Sequence, residues 1–210
     1  MAGHVVLLGD SVFDNAAYVG GGPDVAAQLA GALPAGWRAT LRAVDGAVIS
    51  DVPAQLRGVP EDATHLAVSI GGNDALRASA VIGAGARSVA EALERLAEAA
   101  ERFEAAYRAV LPRVLGRALP VVLCTIYDPL YPDPRGRRLA VTALKVLNDA
   151  VLRIAFAHDL AVIDLRLVCS EAADYANPIE PSARGGEKIA AAIARWATDG
   201  AGPGRTRVFR

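Results

Sequence analysis

The chain has 210 residues, of which 53% are hydrophobic and 21% charged, and its 22 basic and 23 acidic side chains leave a formal net charge of −1. That length suits a single α/β domain, and the even charge balance gives no electrostatic reason to expect a nucleic acid or a membrane as partner. The opening Met-Ala-Gly-His-Val-Val-Leu-Leu-Gly lacks a basic stretch and its apolar run stops at Gly9, so neither a secretory signal nor a membrane span is expected there and the predicted location is cytoplasmic.

In chain order, residues 5–8 form the first apolar, β-branched run, followed by a short helical pattern over 26–33 and a second strand-like run over 39–44. The third run covers 65–70. A long amphipathic helix is predicted over 90–115, with Leu93, Leu96, Phe103, Tyr107 and Leu111 recurring at three- and four-residue steps. The fourth run, 121–126, leads into residues 127–136, where four turn-forming residues sit among aromatic and charged ones and mark a loop. A second long helix over 139–157, a fifth run over 160–165 and a last helix over 184–196 complete the pattern. Nearly all-apolar strands alternating with helices predict a parallel sheet covered on both faces. The expected fold is therefore α/β, a three-layer α/β/α sandwich around a five-stranded parallel sheet of flavodoxin-like topology. One domain spans 1–199, and 200–210 has the Gly-Pro-Arg composition of a flexible C-terminal tail.

In such sheets ligands bind beyond the carboxyl ends of the strands. Those positions here hold Gly9-Asp10-Ser11, the segment from Asp45-Gly46 to Ser50-Asp51, Gly71-Gly72-Asn73-Asp74, and Asn177-Pro178-Ile179-Glu180-Pro181-Ser182. A serine on a tight turn after a buried strand, at the start of the next helix, can project its hydroxyl as a nucleophile, with backbone N–H groups facing the developing charge. As an isolated feature, Ser11 reads equally as a helix N-cap, and Gly71-Gly72-Asn73-Asp74 as a turn.

Taken together, these blocks resemble the SGNH (GDSL) hydrolases. Gly9-Asp10-Ser11 is similar to the first signature block, Gly71-Gly72-Asn73-Asp74 to the third, and the stretch from Asn177 to Gly185 to the last, in order and at matching spacing from Gly9 to about Ile189. The resemblance implies hydrolysis of acyl esters through a serine nucleophile, with no metal and no organic cofactor. By position, Ser11 attacks the acyl carbon, while Asn73 and the Ser11 N–H donate to the oxyanion. For the third donor, counting toward Asp51 selects Ser50, whereas Gly46 is the nearest glycine. Asp10, beside the nucleophile, and Tyr127, in the loop after the fourth run, are candidate substrate-binding residues. Tyr131, Arg135, Arg137 and Arg138 either line a pocket or form a solvated basic turn.

Two positions depart from that family. Where it carries an acid and a histidine three residues apart, this chain has Asn177 and Glu180. His4, His65 and His158 all fall at the amino ends of their strands. The seven steps from His4 to Ser11 alone span roughly 20 Å, beyond a hydrogen bond. Glu180 is then the candidate base, although an ordinary carboxyl titrates near 4.3 against about 6.5 for imidazole. The competing reading makes Glu180 an exposed carboxylate paired with Arg184. The function predicted is an esterase of small or medium acyl esters acting through an acyl-enzyme on Ser11. The alternative is a catalytically silent binding protein of the same fold. Cys124 and Cys169 read as buried free thiols. A metal set of Asp10, Asp14, Asp74 and Glu180 is disfavoured because Asp10 and Asp74 suit turn capping. A dinucleotide site is disfavoured because Gly20-Gly21-Gly22 follows no strand and Gly83-Ala84-Gly85 has the wrong spacing.

Overall fold

The five predicted runs become strands because their β-branched residues can pack on both faces of a buried sheet. The structure, a computed structural model, describes residues 2–199 and 207–209. Its strands are β1 (His4–Gly9), β2 (Arg38–Leu41), β3 (His65–Ser69), β4 (Val121–Cys124), β5 (Ala161–Ile163) and β6 (Val208–Phe209). All pair in parallel in the order β2-β1-β3-β4-β5-β6.

The sheet thus has six strands where five were expected. The sixth comes from the segment read as a tail: Val162 N–H donates to Arg207 O at 2.8 Å and Asp164 N–H to Phe209 O at 3.1 Å. Without it β5 would present an open row of donors and acceptors, and Val208 and Phe209 are good strand formers. The rest of the predicted tail, 200–206 and 210, lies outside the described residues.

The helices are α1 (Val25–Ala32), α2 (Val52–Leu56), α3 (Gly72–Ala78), α4 (Ala80–Gly83), α5 (Val89–Leu115), α6 (Pro134–Ala157), α7 (Leu165–Val168) and α8 (Ala183–Thr198). Two cores result, one on each face of the sheet. Val6, Leu8, Leu66, Val68 and Leu123 pack with Tyr107, Leu111 and Val151 of α5 and α6. On the other face Val5, Leu7, Val122 and Ile163 pack with Leu29 of α1 and Ile193 and Trp196 of α8. Helix α6 starts five residues before the predicted 139, because Asp133 caps it, accepting from Arg135 N at 3.3 Å and Gly136 N at 2.7 Å, and Pro134 takes the first helical position, where its missing N–H costs nothing.

The order of connections reverses between β1 and β3, so the segments leaving these two strands diverge and open a crevice at their carboxyl ends. Gly9 pairs with Ser69 in register, which sets the chain after β1 beside the chain after β3.

Candidate active site

Ser11 follows Gly9 in a conformation only glycine allows here. At φ +136°, a Cβ on Gly9 would lie 1.7 Å from the Ser69 carbonyl oxygen. Gln55 of α2 grips the same peptide: its Oε1 accepts from Gly9 N at 2.8 Å and its Nε2 donates to Gly9 O at 2.7 Å. The chain then turns back on itself, with Phe13 N–H and Asp14 N–H both donating to Asp10 O at 3.1 Å. Ser11 therefore stands on a tight turn and not at the start of a helix; α1 begins only at Val25, because the next helical turn (Ala16–Tyr18) is a short 3-10 segment without a side-chain cap. Within the described chain the Ser11 N–H forms no backbone hydrogen bond.

Asn73 is carried by α3, whose N-cap Gly71 has φ +113° and sits against Phe103, leaving no room for a Cβ. One amide hydrogen of Asn73 goes to Ala47 O at 2.9 Å, and Asp74 Oδ2 accepts from Ile49 N at 3.0 Å. Together these two side chains bind the loop after β2 to the start of α3. Gly46, at φ +77°, is the third residue of the turn from Val44 to Ala47. Neither Gly46 nor Ser50 lines the cavity described below, and both are exposed.

Glu180 arrives on the loop between β5 and α8, and its residue is only 7% exposed. Asn177 shapes that loop, its side-chain oxygen accepting from Ile179 N and Glu180 N, both at 3.0 Å. Ala176 N–H donates to Glu180 O at 2.9 Å, and the Tyr127 hydroxyl to Ile179 O at 2.6 Å. Asn177 itself is exposed, so the place assigned to the triad's acid holds a turn-forming residue that fixes the backbone of Glu180. Arg184 pairs with Glu171 at 2.5 Å and lies 3.6 Å from Asp174, so the reading of Glu180 as an exposed partner of Arg184 does not hold.

The Glu180 carboxyl and the Ser11 hydroxyl line the same crevice, close enough for the hydroxyl to favour the ionised carboxyl. Burial pushes the carboxyl up to about 6; the serine hydroxyl opposes that rise and the charge of Asp45 adds to it. Its Oε2 is buried and has no hydrogen-bond partner among the described residues. Asp10, 2% exposed, is pushed up to about 7, mainly by burial, with the charges of Glu180 and Asp74 adding to the shift against hydrogen bonds from Val12 N and Gly72 N. The crevice thus holds two carboxyls that share a desolvated setting and differ in strength.

Beyond Ser11 opens a cavity of about 420 Å³. Asp10, Ser11, Asn73 and Glu180 stand at its polar end; Ile70, Leu76, Ile82, Leu96, Ile126 and Leu144 are among its apolar walls. Tyr127 and Tyr131 line it too, whereas Arg135, Arg137 and Arg138 do not.

The remaining candidates fall elsewhere. His4 bonds Asp62 and Thr40 at the amino end of β1, His65 stacks between Trp37 and Trp196, and His158 caps α6, so none faces Ser11. Burial raises both thiols, Cys169 to about 12, which leaves them unreactive. Asp14 and Asp74 are spent on the backbone N–H groups of Asp45 and Ile49, and no cluster of three or more metal-ligating side chains occurs among the described residues. Sequence reasoning missed Gln55. Its one signal was a lone amide in an otherwise apolar short helix.

The sequence profile of the GDSL-like lipase/acylhydrolase family matches residues 7–188. No curated protein sequence matches the chain. Among solved structures, an extracellular lipase from Streptomyces rimosus superposes with a TM-score of 0.71 at 21% identity, covering 94% of this chain and all (100%) of that one. A phospholipase A1 from Streptomyces albidoflavus gives 0.70 at 19% identity, covering 93% and 99%. An acetylxylan esterase from Geobacillus stearothermophilus gives 0.58 at 19%, covering 92% and 93%. At these identities the likeness is one of fold.

Proposed function

Since the chain belongs to the GDSL-like lipase/acylhydrolase family, a family of carboxylic ester hydrolases, we propose that it cleaves esters of medium-length acyl chains through an acyl-enzyme on Ser11, with Glu180 as the base. The observation that carries this reading is a buried carboxylate with a free oxygen beside the serine hydroxyl, at the polar end of an apolar cavity.

In the first half-reaction the Ser11 oxygen bonds to the acyl carbon while its proton passes to Glu180. The oxyanion receives the Ser11 N–H and the second amide hydrogen of Asn73, the first being engaged by Ala47 O. Neither Gly46 nor Ser50 lines the cavity, so the donors from Ser11 and Asn73 carry the oxyanion in this reading. The alkoxide leaves with the proton from Glu180. Water then attacks the acyl-enzyme, Glu180 takes its proton and returns one to Ser11, and the acid departs.

A carboxyl with a pKa of about 6 comes close to the ordinary value for imidazole, about 6.5, so burial removes most of the deficit that a glutamate brings to the histidine's place. Asn177 is consistent with this assignment, because a carboxylate base needs no acid to orient it, only a fixed backbone. An acyl chain fits the apolar walls, and the volume, about 420 Å³, suits more than an acetyl group.

The absence of the family's histidine favours a second reading, a silent binding protein that keeps the pocket. A fluorophosphonate probe separates the two. Labelling of Ser11 in the parent, strongly slowed in Glu180→Gln and absent in Ser11→Ala, supports the esterase; an unreactive Ser11 supports the binding protein.

A further inference from the structure

Among the described residues nine large apolar side chains are left exposed, and five of them, Leu76, Ile82, Val89, Leu93 and Leu139, belong to the helix ends that surround one mouth. Leu76 and Ile82 line the cavity itself. Leu93 stands one helical turn before Leu96, and Leu139 one turn after Gly136 and one before Ala143; all three of those neighbours line it too. The apolar stripe of α5, buried from Ala99 to Val114, runs on toward its N-terminus through Leu93 and Val89, which are 59% and 77% exposed. Scattered exposed leucines need no explanation, but a collar around a cavity opening does.

Charge indicates what covers it. Arg135, Arg137 and Arg138 lie in the first turns of α6 beside Leu139; all three are exposed, and none forms a salt bridge among the described residues. Around the starts of α5 and α6, Arg87, Arg95, Arg135, Arg137 and Arg138 stand against Glu91, which pairs with Arg87 and Arg95, and the exposed Glu94 and Asp133, five cations to three anions. The collar is therefore apolar with a net positive flank. A second copy of the chain is a poor occupant, since a twofold contact would bring two copies of this net positive flank into one interface. A lipid surface with anionic headgroups satisfies both features at once, taking the leucines and valine at its acyl boundary and the guanidinium groups at its phosphates.

We propose that this collar docks the protein on anionic lipid surfaces, with the cavity mouth against the bilayer. No described helix is long and apolar enough to cross a membrane, so the contact is peripheral. The overall charge balance gave no reason to expect such a partner, because the arginines are compensated elsewhere on the chain and only their clustering carries the signal.

The test is co-sedimentation of the full chain with vesicles of equimolar phosphatidylglycerol and phosphatidylcholine, and with pure phosphatidylcholine. The parent should partition onto the mixed vesicles and much less onto the neutral ones. A basic side chain near an anionic surface is worth roughly a fivefold change in partitioning, so R137Q/R138Q should weaken binding about twenty-fivefold on the mixed vesicles only. V89S/L93Q, which touches no wall of the cavity, should weaken it more than tenfold on both while leaving the melting temperature unchanged. Failure of the parent to bind mixed vesicles, binding that neither pair of substitutions alters, or self-association abolished by V89S/L93Q would each overturn the proposal. Vesicle binding is read without turnover, so it stands or falls independently of whether the fluorophosphonate probe labels Ser11.

Discussion

At Glu180 the exchange of an imidazole for a carboxylate changes what turnover should look like against pH. If Glu180 is the base, it must be ionised to take the Ser11 proton, so kcat/KM for a soluble acyl ester should rise along a single limb with a midpoint near 6 and level off above it. Glu180→Gln keeps the shape and removes the acceptor, and should lower kcat by about 10²–10⁴-fold, the usual contribution of a general base. Equal turnover in parent and variant would exclude Glu180 as the base. Asn73 has a different signature. As the proposed oxyanion donor it would contribute only as charge develops on the substrate oxygen, so Asn73→Ala should cost about 10²–10³-fold in kcat with little change in KM. An unchanged kcat would remove it from the oxyanion site. The types and places of these residues could be read from the sequence; the strength of Glu180 could not, since it depends on burial by Tyr127, Ile179 and the chain after β1, which meet only in the fold.

At the level of elements, the site depends on how firmly three turns are held, and Gln55 is the clearest case. It spends both ends of its amide on Gly9, and no other described group replaces Oε1 as acceptor for that buried N–H. Gln55→Leu should therefore cost about 1–3 kcal/mol of stability, read as a lowered melting temperature, and should also depress kcat by letting the Ser11 turn drift. A variant that melts with the parent would show that the clamp is dispensable. The long helices were legible because α5 and α6 extend over enough turns for periodicity to show, whereas α2, α3, α4 and α7 span only 4 to 7 residues. No apolar pattern can declare itself over so short a stretch. The start of α6 was missed for another reason: Pro134 reads as a breaker in a loop-like sequence, yet behind Asp133 it is a good first helical residue. Strand β6 has two residues, below what alternation can show, and its existence follows from the edge it covers.

Across the whole molecule, the proposed function and stability should respond to pH in opposite senses at this site. Asp10 is ordinarily protonated only below about 3.8, but here it holds its proton to about 7. Its contribution to stability is complete below 3.8, declines as the unfolded chain ionises and the folded one does not, and is gone once pH passes about 7. Glu180 behaves likewise between 4.5 and about 6. Burial lowers His4 and His65, so these two give stability that grows with pH up to their ordinary value and partly mask the carboxyls. The carboxyl effect is therefore best read as a difference. Asp10→Asn cannot ionise, and its cost from a less suitable acceptor for Val12 N and Gly72 N is the same at every pH, while the contributions of both histidines change alike in parent and variant and cancel in the difference. Relative to the parent, its melting temperature should be lowest near pH 4 and should climb steadily to pH 7, where the parent bears a buried charge and the variant does not. A difference that stays flat over that range would mean that Asp10 is ionised throughout, as in a solvated turn. A rising difference, alongside esterase activity that itself rises over the same interval, would show the fold tolerating in Asp10 and Glu180 the same desolvation that makes Glu180 a usable base.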